Sequence, residues 1–393
     1  MKVQKPLTIG IDATNLLRGG GVTHLVELLR FAQPKLHCFD HIIVWGNTST
    51  LQLLGDQNWL IKITPPALNR GLYHRTRWKL LCLPQAARDA GCDVLLVPGG
   101  SYVGDFHPVV NMSRNLLPFE MGELLRYGWS FMTIKLMLLR LIQSVSFKNA
   151  DGVIFLTQYA HDAVLRITGK LHGHQRIIPH GLNSRFIKSP KAQHFIDEFD
   201  LSHPYRVLYV SIIDQYKHQW HVVEAIAALR NQGLPIVLDL VGPAYPAALK
   251  RLDQSIARLD ADRQWVHYHG SINHSNLHTY YADADLGLFA SSCENMPNIL
   301  LETMASGLPI ACSNRGPMPE ILGKGAVYFN PEDSSDIARA LRQIIESSEL
   351  RTKLSQMSSQ ISRNYSWSRC AEDTFKFLTE VAVLNKAQTM LNE

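Results

Sequence analysis

The sequence predicts an α/β fold of two Rossmann-like domains, and three observations support this prediction. Short β-branched runs alternate with helical patterns along almost the whole chain, as in parallel sheets covered by helices on both faces. The alternation is lost once, between residues 182 and 205, where Ser-Pro and His-Pro pairs indicate a connection between domains. A chain of 393 residues with 46% hydrophobic and 19% charged residues is long and apolar enough for two cores.

The predicted strands form two series that place the domain boundaries. The first series is 7–12, 41–45, 93–98, 109–112 and 152–157. The second series is 206–211, 236–241, 265–268, 285–290, 309–312 and 326–329. They predict an N-terminal domain at 1–183, a linker at 184–204 and a C-terminal domain at 205–369. Because ligands of parallel α/β folds bind beyond the carboxyl ends of strands, we expect the site in those loops, along a cleft between two facing domains.

Composition argues against several classes of protein. The formal net charge of +5 suits anionic small molecules or an anionic membrane surface better than duplex nucleic acid. The 6 cysteines contain no Cys-x-x-Cys pair, which argues against a disulfide framework and a structural zinc site. The N-terminus lacks the apolar segment of a secretory signal, so we expect a cytoplasmic protein.

The most informative loop follows the predicted strand 285–290. Pro297 suits the first turn of a helix, so the free N–H groups of Asn298 and Ile299 would bind an anion such as a diphosphate. Glu302 lies about 7 Å further along that helix, which matches the spacing from a diphosphate to the ribose of one nucleotide. Glu294 precedes the helix and would face the sugar side of the diphosphate. The alternative is that Glu294 is a solvated loop residue and Glu302 a surface helix residue.

Two further loops carry candidate phosphate contacts. Gly20 and Gly21 follow the first strand and enter an amphipathic helix, and glycines allow a close approach to phosphate. This loop matches neither Gly-x-Gly-x-x-Gly nor a P-loop, and a mobile loop without a ligand is the alternative. Lys217 lies near the start of a helix after the strand 206–211, where an ammonium can neutralise a leaving diphosphate. A lone lysine at such a position is more often a solvated surface charge.

Other polar clusters do not predict a metal site. Asp283 and Asp285 match an Asp-x-Asp pattern, but they lie where a helix ends and a strand begins. Four histidines lack a cysteine or carboxylate at zinc-binding spacing and are expected on strand ends and helix surfaces. They are His267, His269, His274 and His278.

The segment 127–147 is rich in large apolar residues. Lys135 and Arg140 interrupt it, so it is too charged and too short to span a bilayer. We interpret it as a helix packed on the core. The alternative is a partly exposed apolar surface that meets a lipid-linked acceptor at the membrane.

Taken in order, these features resemble the retaining GT-B glycosyltransferases of family 4, also described as glycosyltransferase group 1. The resemblance covers nearly the whole chain. It is strongest from Glu294 to Glu302, which matches the family's E-x7-E motif, and it continues through 305–310 and 313–320. The stretches 328–331 and 365–367 are similar to the family's closing signatures. The resemblance implies that the last helix, within 370–393, crosses back to pack on the first domain.

The resemblance also implies a role for each candidate residue. Glu294 would contact the transferred sugar, Lys217 the diphosphate and Glu302 the ribose. Gly20 and Gly21 would close over the phosphates from the other domain. The loop residues that would complete the donor site are Asn295, Met296, Pro297, Asn298 and Ile299.

Two positions depart from the family pattern. Ile212 stands where the family commonly has an arginine five residues before the lysine, so one cationic phosphate contact is missing or supplied elsewhere. Arg114 and Asn115 stand where many members have histidine and aspartate. Arginine cannot act as a base, so a polarising or acceptor-positioning role fits Arg114, which completes a predicted catalytic set with Glu294 and Lys217.

We therefore predict a retaining hexosyltransferase of surface polysaccharide or lipopolysaccharide synthesis. It would use a GDP- or UDP-sugar donor and a saccharide or lipid-linked acceptor, with no metal and no cofactor. The expected location is the cytoplasm, with peripheral contact to the inner face of the membrane through 127–147 as an open alternative. Two rival functions stay open, a noncatalytic nucleotide-sugar-binding partner subunit and a nucleotide-sugar epimerase on the same scaffold.

Overall fold

A computed structural model describes residues 6–17 and 19–392, and it describes side chains as far as Ala387. The chain divides into two compact units. The first unit comprises the described residues of Met1–Phe119, Trp129–Gly181 and Ser366–Glu393. The second comprises Glu120–Gly128 and Leu182–Tyr365.

The first unit is built on a seven-stranded parallel sheet in the order β3-β2-β1-β4-β5-β6-β7. Its strands are β1 (Leu7–Ala13), β2 (Phe39–Gly46), β3 (Leu60–Ile63), β4 (Val94–Val97), β5 (Val109–Met112), β6 (Gly152–Phe155) and β7 (His174–Ile177). Its helices are α1 (Gly20–Arg30), α2 (Thr48–Leu51), α3 (Leu72–Leu81), α4 (Leu83–Asp89), α6 (Phe131–Asn149), α7 (Gln158–Thr168) and α15 (Trp367–Asn392).

The second unit is built on a six-stranded parallel sheet in the order β10-β9-β8-β11-β12-β13. Its strands are β8 (Tyr205–Val210), β9 (Ile236–Val241), β10 (Val266–Tyr268), β11 (Leu286–Phe289), β12 (Ile310–Ser313) and β13 (Val327–Phe329). Its helices are α5 (Met121–Leu125), α8 (Gln219–Arg230), α9 (Pro246–Leu259), α10 (Leu277–Asp283), α11 (Asn298–Ala305), α12 (Met318–Leu322), α13 (Ser334–Ile345) and α14 (Ser348–Ser362).

The predicted α/β class with two parallel-sheet, Rossmann-like domains is confirmed. Central strands such as β4 and β6 are buried along their whole length, which explains their continuous apolar runs. The sequence prediction missed β3 and β7. Both are edge strands with mostly half-exposed or exposed residues, so their sequences LIKI and HQRI carry polar side chains and lack the expected pattern.

The segment 184–204 belongs to the second unit, whereas the sequence suggested a separate linker. Arg351, which is 1% exposed, donates to the carbonyl oxygen of His194, and Lys191 Nζ donates to the carbonyl oxygen of Ala284 at 2.8 Å. These hydrogen bonds attach the segment to α14 and to the start of β11. Residues 120–128 also belong to this unit, although the sequence analysis placed them in the first domain.

The last helix, α15, begins at Trp367 and belongs to the first unit. Thr379 Oγ1 donates to the carbonyl oxygen of His37 at 3.0 Å. Lys386 pairs with Asp93 at 2.6 Å, and Phe375 is fully buried. Apolar burial and ion pairs therefore both hold α15 within this unit.

Helix α6 presents an apolar face to solvent, which corrects its interpretation as a core helix. Phe131 is 81% exposed, and the exposed large side chains recur every three or four residues, so they share one face. The stripe is formed by Phe131, Ile134, Leu138, Leu141 and Val145, and the neighbouring Met137 is 41% exposed. Across the described part of the chain, we find no helix with the length and apolar content needed to cross a bilayer.

Candidate functional site

Two neighbouring strands of the second unit carry the loops that contain Lys217 and Glu294. Strands β8 and β11 are paired in parallel, so their carboxyl ends lie side by side. The loop after β11 is joined to the loop after β8 by the N–H of Ser292, which donates to the carbonyl oxygen of Tyr216 at 2.8 Å. The fold therefore brings together two residues that are far apart in sequence.

The Lys217 ammonium forms an ion pair with Glu294 Oε1. Lys217 is 6% exposed, and its Nζ lies 5.0 and 5.1 Å from the ring centres of Tyr216 and Phe289. The Glu294 side chain is also largely buried. Lys217 and Glu294 are therefore not the solvated charges that the alternative interpretations described. The aromatic rings keep water from the ammonium, which strengthens its ion pair with Glu294.

The loop after Glu294 leads into α11, which begins at Asn298 with Pro297 at its N-cap. The N–H groups of Leu300 and Leu301 donate to the carbonyl oxygen of Pro297. The N–H groups of Asn298 and Ile299 precede these bonds and form the free amino end of the helix. Pro297 thus lies one residue before the helix rather than in its first turn. Asn295 and Met296 are buried in the loop.

Glu302 is the fifth residue of α11 and is 6% exposed, so it is not a surface helix residue. Its Oε1 lies 2.8 Å from Nε2 of His274. Its Oε2 is buried without a hydrogen-bond partner. Burial raises the pKa of this carboxyl group, and the hydrogen bond from His274 opposes that effect. One oxygen of Glu302 is therefore held by the protein, and the other can accept a hydrogen bond from a ligand.

His274 lies in the turn after β10, and sequence analysis missed its connection to Glu302. Arg185 Nη2 donates to His274 Nδ1. Because a guanidinium can only donate, Nδ1 is the acceptor, and the proton of this neutral ring is on Nε2, facing Glu302. The order Arg185, His274, Glu302 thus orients the buried carboxylate. The sequence did contain one signal for His274, namely that it follows a predicted strand at the carboxyl edge of the sheet. We had expected an ordinary surface histidine.

A second network that the sequence did not reveal surrounds His218. This residue follows Lys217 and has a left-handed backbone with φ of 54°. Ser292 Oγ donates to Glu123 Oε2 at 2.6 Å, so it accepts from Nε2 of His218 at 2.9 Å. Burial lowers the pKa of His218 to about 3, which keeps the ring neutral. Glu123 also pairs with Arg126 at 2.7 Å, and the network attaches residues 120–128 to the Lys217 and Glu294 loops.

Ile212 provides no cation for a phosphate. Its carbonyl oxygen accepts from Nε2 of buried Gln219 at 2.9 Å, which fixes the loop that leads to Lys217.

The backbones at the carboxyl ends of β8 and β9 are packed closely together. Gly242 has φ of 146°, and a Cβ there would lie 2.0 Å from the carbonyl oxygen of Ser211. A larger residue at 242 would push the two strand ends apart.

The remaining candidates lie in the first unit. Helix α1 begins at Gly20, and a Cβ built on Gly21 would lie 2.8 Å from Nη1 of Arg114. The fold therefore places Arg114, which follows β5, against the amino end of α1. The first unit also contains a buried ion pair that sequence analysis missed. It joins Lys79 Nζ to Asp12 Oδ2 at 2.5 Å, and Asp12 lies at the end of β1.

Asp285 of the Asp-x-Asp pattern accepts a hydrogen bond from the backbone of a neighbouring strand. Asp285 Oδ2 accepts from the N–H of Arg206 at 2.9 Å, which joins the starts of β8 and β11. Within the described ranges of the chain, we find no group of three or more His, Cys, Asp or Glu side chains that could hold a metal ion.

Known proteins are similar to this chain in sequence and in fold. Residues 191–360 match the family of glycosyl transferases group 1. The O-antigen chain mannosyltransferase B of Escherichia coli is 22% identical over 240 residues, which cover 60% of this chain and 59% of that protein. The sulfoquinovosyl transferase SQD2 of Arabidopsis thaliana is 29% identical over 103 residues, covering 25% of this chain and 20% of that protein. The chain thus spans less than two thirds of the length of these relatives.

Solved structures extend the similarity in fold to nearly the whole chain. A sucrose-phosphate synthase from Thermosynechococcus elongatus has a TM-score of 0.76 at 17% identity, covering 96% of this chain and 100% of that chain. Alr3699/HepE of Anabaena, solved in complex with UDP-glucose, has a TM-score of 0.69 at 16% identity, covering 97% of this chain and 100% of that chain. The family match supports the glycosyltransferase group 1 family, and the solved structures show a shared fold.

Proposed function

We propose that this protein is a retaining glycosyltransferase that moves a hexosyl unit from a nucleoside diphosphate sugar to a saccharide acceptor. The observation that carries the proposal is the arrangement around α11. Glu294, paired with Lys217, precedes the helix, and Glu302 has an unpartnered oxygen one turn inside it. An ammonium, a free helix amino end and a buried acceptor at these spacings suit a ligand with a diphosphate and a ribose.

Each residue has a defined part in the proposed reaction. Glu302 Oε2 accepts from a ribose hydroxyl, while the N–H groups of Asn298 and Ile299 bind the diphosphate. The bond from the anomeric carbon to the diphosphate breaks, and the acceptor hydroxyl oxygen bonds to that carbon from the same face. The hydroxyl proton passes to the leaving diphosphate. Lys217 stabilises the charge that develops there, and Glu294 contacts the sugar.

One sequence relative and one structural neighbour support the proposed donor and acceptor. One is named for mannosyl transfer to the O-antigen chain, and another was solved with UDP-glucose. We therefore propose a GDP- or UDP-hexose as the donor and a surface polysaccharide or lipopolysaccharide intermediate as the acceptor. No metal or other cofactor takes part in this proposal, because the helix amino end and Lys217 supply the positive charge for the diphosphate.

A coupled screen tests this function. The protein is incubated with GDP- and UDP-sugars, with and without saccharide acceptors, and both the released nucleotide and the sugar products are measured. We expect release that depends on the acceptor and an α-linked or β-linked product with the donor's own anomeric configuration. Binding without turnover would identify a noncatalytic partner subunit. Interconversion of donors without an acceptor would identify an epimerase.

Replacing Glu302 by alanine tests the nucleotide site directly. We expect Glu302→Ala to weaken binding of the free nucleoside diphosphate by about 1–3 kcal/mol, because ribose hydroxyls lose a carboxylate acceptor. Calorimetry with the nucleoside diphosphate measures this loss. His274→Ala should cause a smaller loss, because Glu302 keeps its charge but not its orientation. Unchanged nucleotide affinity in Glu302→Ala would contradict the assignment.

Removal of divalent cations should leave transfer intact. We expect the rate with excess EDTA to stay within about two-fold of the untreated rate, because hydrogen bonds and an ammonium bind the diphosphate in this proposal. The measurement compares initial rates with EDTA, with EDTA plus manganese and without either. Complete loss that manganese restores would show that a metal bridges the diphosphate.

We further propose that the exposed face of α6 rests on the membrane that carries a lipid-linked acceptor. Its apolar stripe alternates with Lys135, Arg140 and Lys148, a combination suited to anionic lipid headgroups. Replacing Phe131 and Leu138 by serine should lower binding to anionic vesicles about ten-fold or more, while the melting temperature stays nearly unchanged.

A matched control uses two exposed leucines of comparable accessibility outside α6. Leu36 is 74% and Leu201 is 77% exposed. Their replacement by serine should leave vesicle binding, measured by flotation, unchanged. If the α6 variant instead loses several degrees of melting temperature, the stripe packs on the protein and the membrane proposal is wrong.

A further inference from the structure

The segment 120–128, which we call the strap, contacts three loops at one edge of the second unit's sheet. These loops follow β8, β11 and β13, which belong to one parallel sheet, so their carboxyl ends lie at the same edge. Three strap side chains make the contacts: Tyr127 Oη donates to Asp214 Oδ1 at 2.8 Å, Glu123 Oε2 accepts from Ser292 Oγ at 2.6 Å, and Arg126 Nη2 pairs with Glu332 Oε1 at 2.7 Å.

Two of these contacts bracket Lys217 along the chain. Asp214, which precedes the lysine in its loop, accepts from Tyr127. His218, the residue after the lysine, donates through Nε2 to the serine of the second contact at 2.9 Å, and that serine in turn donates to Glu123. The strap therefore holds the backbone on both sides of the lysine by two separate routes, one direct and one through His218.

His218 carries two costs at its position. Its φ of 54° lies in the left-handed region, where a Cβ is crowded and glycine is favoured. Its side chain is buried, and its Nδ1 has no hydrogen-bond partner. A glycine at 218 would avoid both costs. The imidazole stacks on His221, with ring centres 5.5 Å apart, and it donates to Ser292. Of these two contacts, the hydrogen bond is the one that reaches the loop of Glu294, and residues held in such a conformation cluster at functional sites.

We propose that the strap and His218 position the Lys217 ammonium against the diphosphate of the donor. The positioning residues are Glu123, Tyr127 and His218. The inference rests on the proposed function, which assigns the diphosphate to Lys217. An ammonium stabilises a leaving group best when it is already fixed in place, and a lysine has a long flexible stem. The ion pair with Glu294 holds the far end of that stem, and the strap holds the backbone at its near end.

Two substitutions of His218 separate positioning from support of the fold. Glycine suits the left-handed backbone but lacks the imidazole, whereas glutamine carries an amide N–H that can replace Nε2 as the donor to Ser292. We expect His218→Gly to bind GDP or UDP about 10-fold more weakly, while guanosine or uridine binds within about two-fold of the native affinity, because Lys217 contacts the diphosphate. His218→Gln should restore most of the diphosphate affinity, and kcat should follow the same order. Calorimetry on the full chain measures the binding of both ligands.

The strap variants Glu123→Ala and Tyr127→Phe should show the same selective loss, about three- to ten-fold for the diphosphate. Glu346→Ala and Tyr73→Phe are the matched controls, because both side chains are exposed, and they should bind like the native protein. Glu123→Ala combined with His218→Gly should be no weaker than the weaker single variant, because both act through one serine. Tyr127→Phe combined with His218→Gly should add its loss, since the two routes are separate.

Equal diphosphate affinity in the native protein and in every strap and His218 variant would overturn the positioning role. Equal losses for the diphosphate and the nucleoside would overturn it too, because they would show that the strap supports the fold as a whole. Nucleotide binding that depends on Glu302 is measured on the same preparations. If that dependence holds while the strap variants bind like the native protein, the positioning role alone is wrong. If the native protein binds neither GDP nor UDP, the proposed function is wrong as well.

Discussion

Replacing Lys217 by methionine is expected to lower the free energy of unfolding by about 3–5 kcal/mol, because the Glu294 carboxylate would stay buried without its partner. The ammonium has almost no solvent contact, and the carboxylate has little. Removing both charges should recover most of this loss. The double variant Lys217→Met, Glu294→Leu is therefore expected to unfold within about 1 kcal/mol of the native protein, although it should be inactive.

Denaturant unfolding of the single and double variants measures this coupling. The matched control is Arg258→Met, which breaks the exposed pair with Glu224 in the same unit. That pair should contribute at most about 1 kcal/mol, because water screens it. If Lys217→Met unfolds like the native protein, the Lys217 and Glu294 side chains are not paired in solution, and the burial argument for their joint role is lost.

Replacing Glu294 by glutamine is expected to lower kcat by about 100-fold, while binding of the free nucleoside diphosphate stays within about three-fold of the native value. Glutamine keeps the volume of the side chain and a hydrogen-bond acceptor for Lys217. It loses the negative charge beside the sugar, where charge develops as the glycosidic bond breaks. Such a loss affects the transition state more than the bound nucleotide, which has no sugar to contact.

Steady-state kinetics and nucleotide calorimetry on the same preparations measure the two effects. Glu346→Gln, an exposed change on the second unit, serves as the control and should match the native protein in both. The comparison with Glu302→Ala is the decisive one. If Glu294→Gln abolishes nucleotide binding while Glu302→Ala is silent, the two carboxylates have been assigned to the wrong parts of the donor.

The sequence predicted the features that depend on local pattern. Strands β5 and β9 are buried throughout and consist mostly of apolar residues, so their predicted bounds, 109–112 and 236–241, agree with the structure. The strand, loop and helix from Leu286 to Ala305 are equally local, and the spacing of Glu294 and Glu302 follows from the helix between them. These elements required no knowledge of which other segments lie nearby.

Only the tertiary structure showed which distant residues meet. The pairing of Lys217 with Glu294 depends on β8 and β11 being neighbours in the sheet, which no local pattern reveals. The orientation of Glu302 by His274, and the placement of Arg114 against Gly21, likewise join separate loops. The edge strands β3 and β7 were missed, and the exposed face of α6 was misinterpreted, because their surroundings in the fold could not be known from the sequence. Their environment is set by what does not cover them, and a sequence window contains no information on missing neighbours.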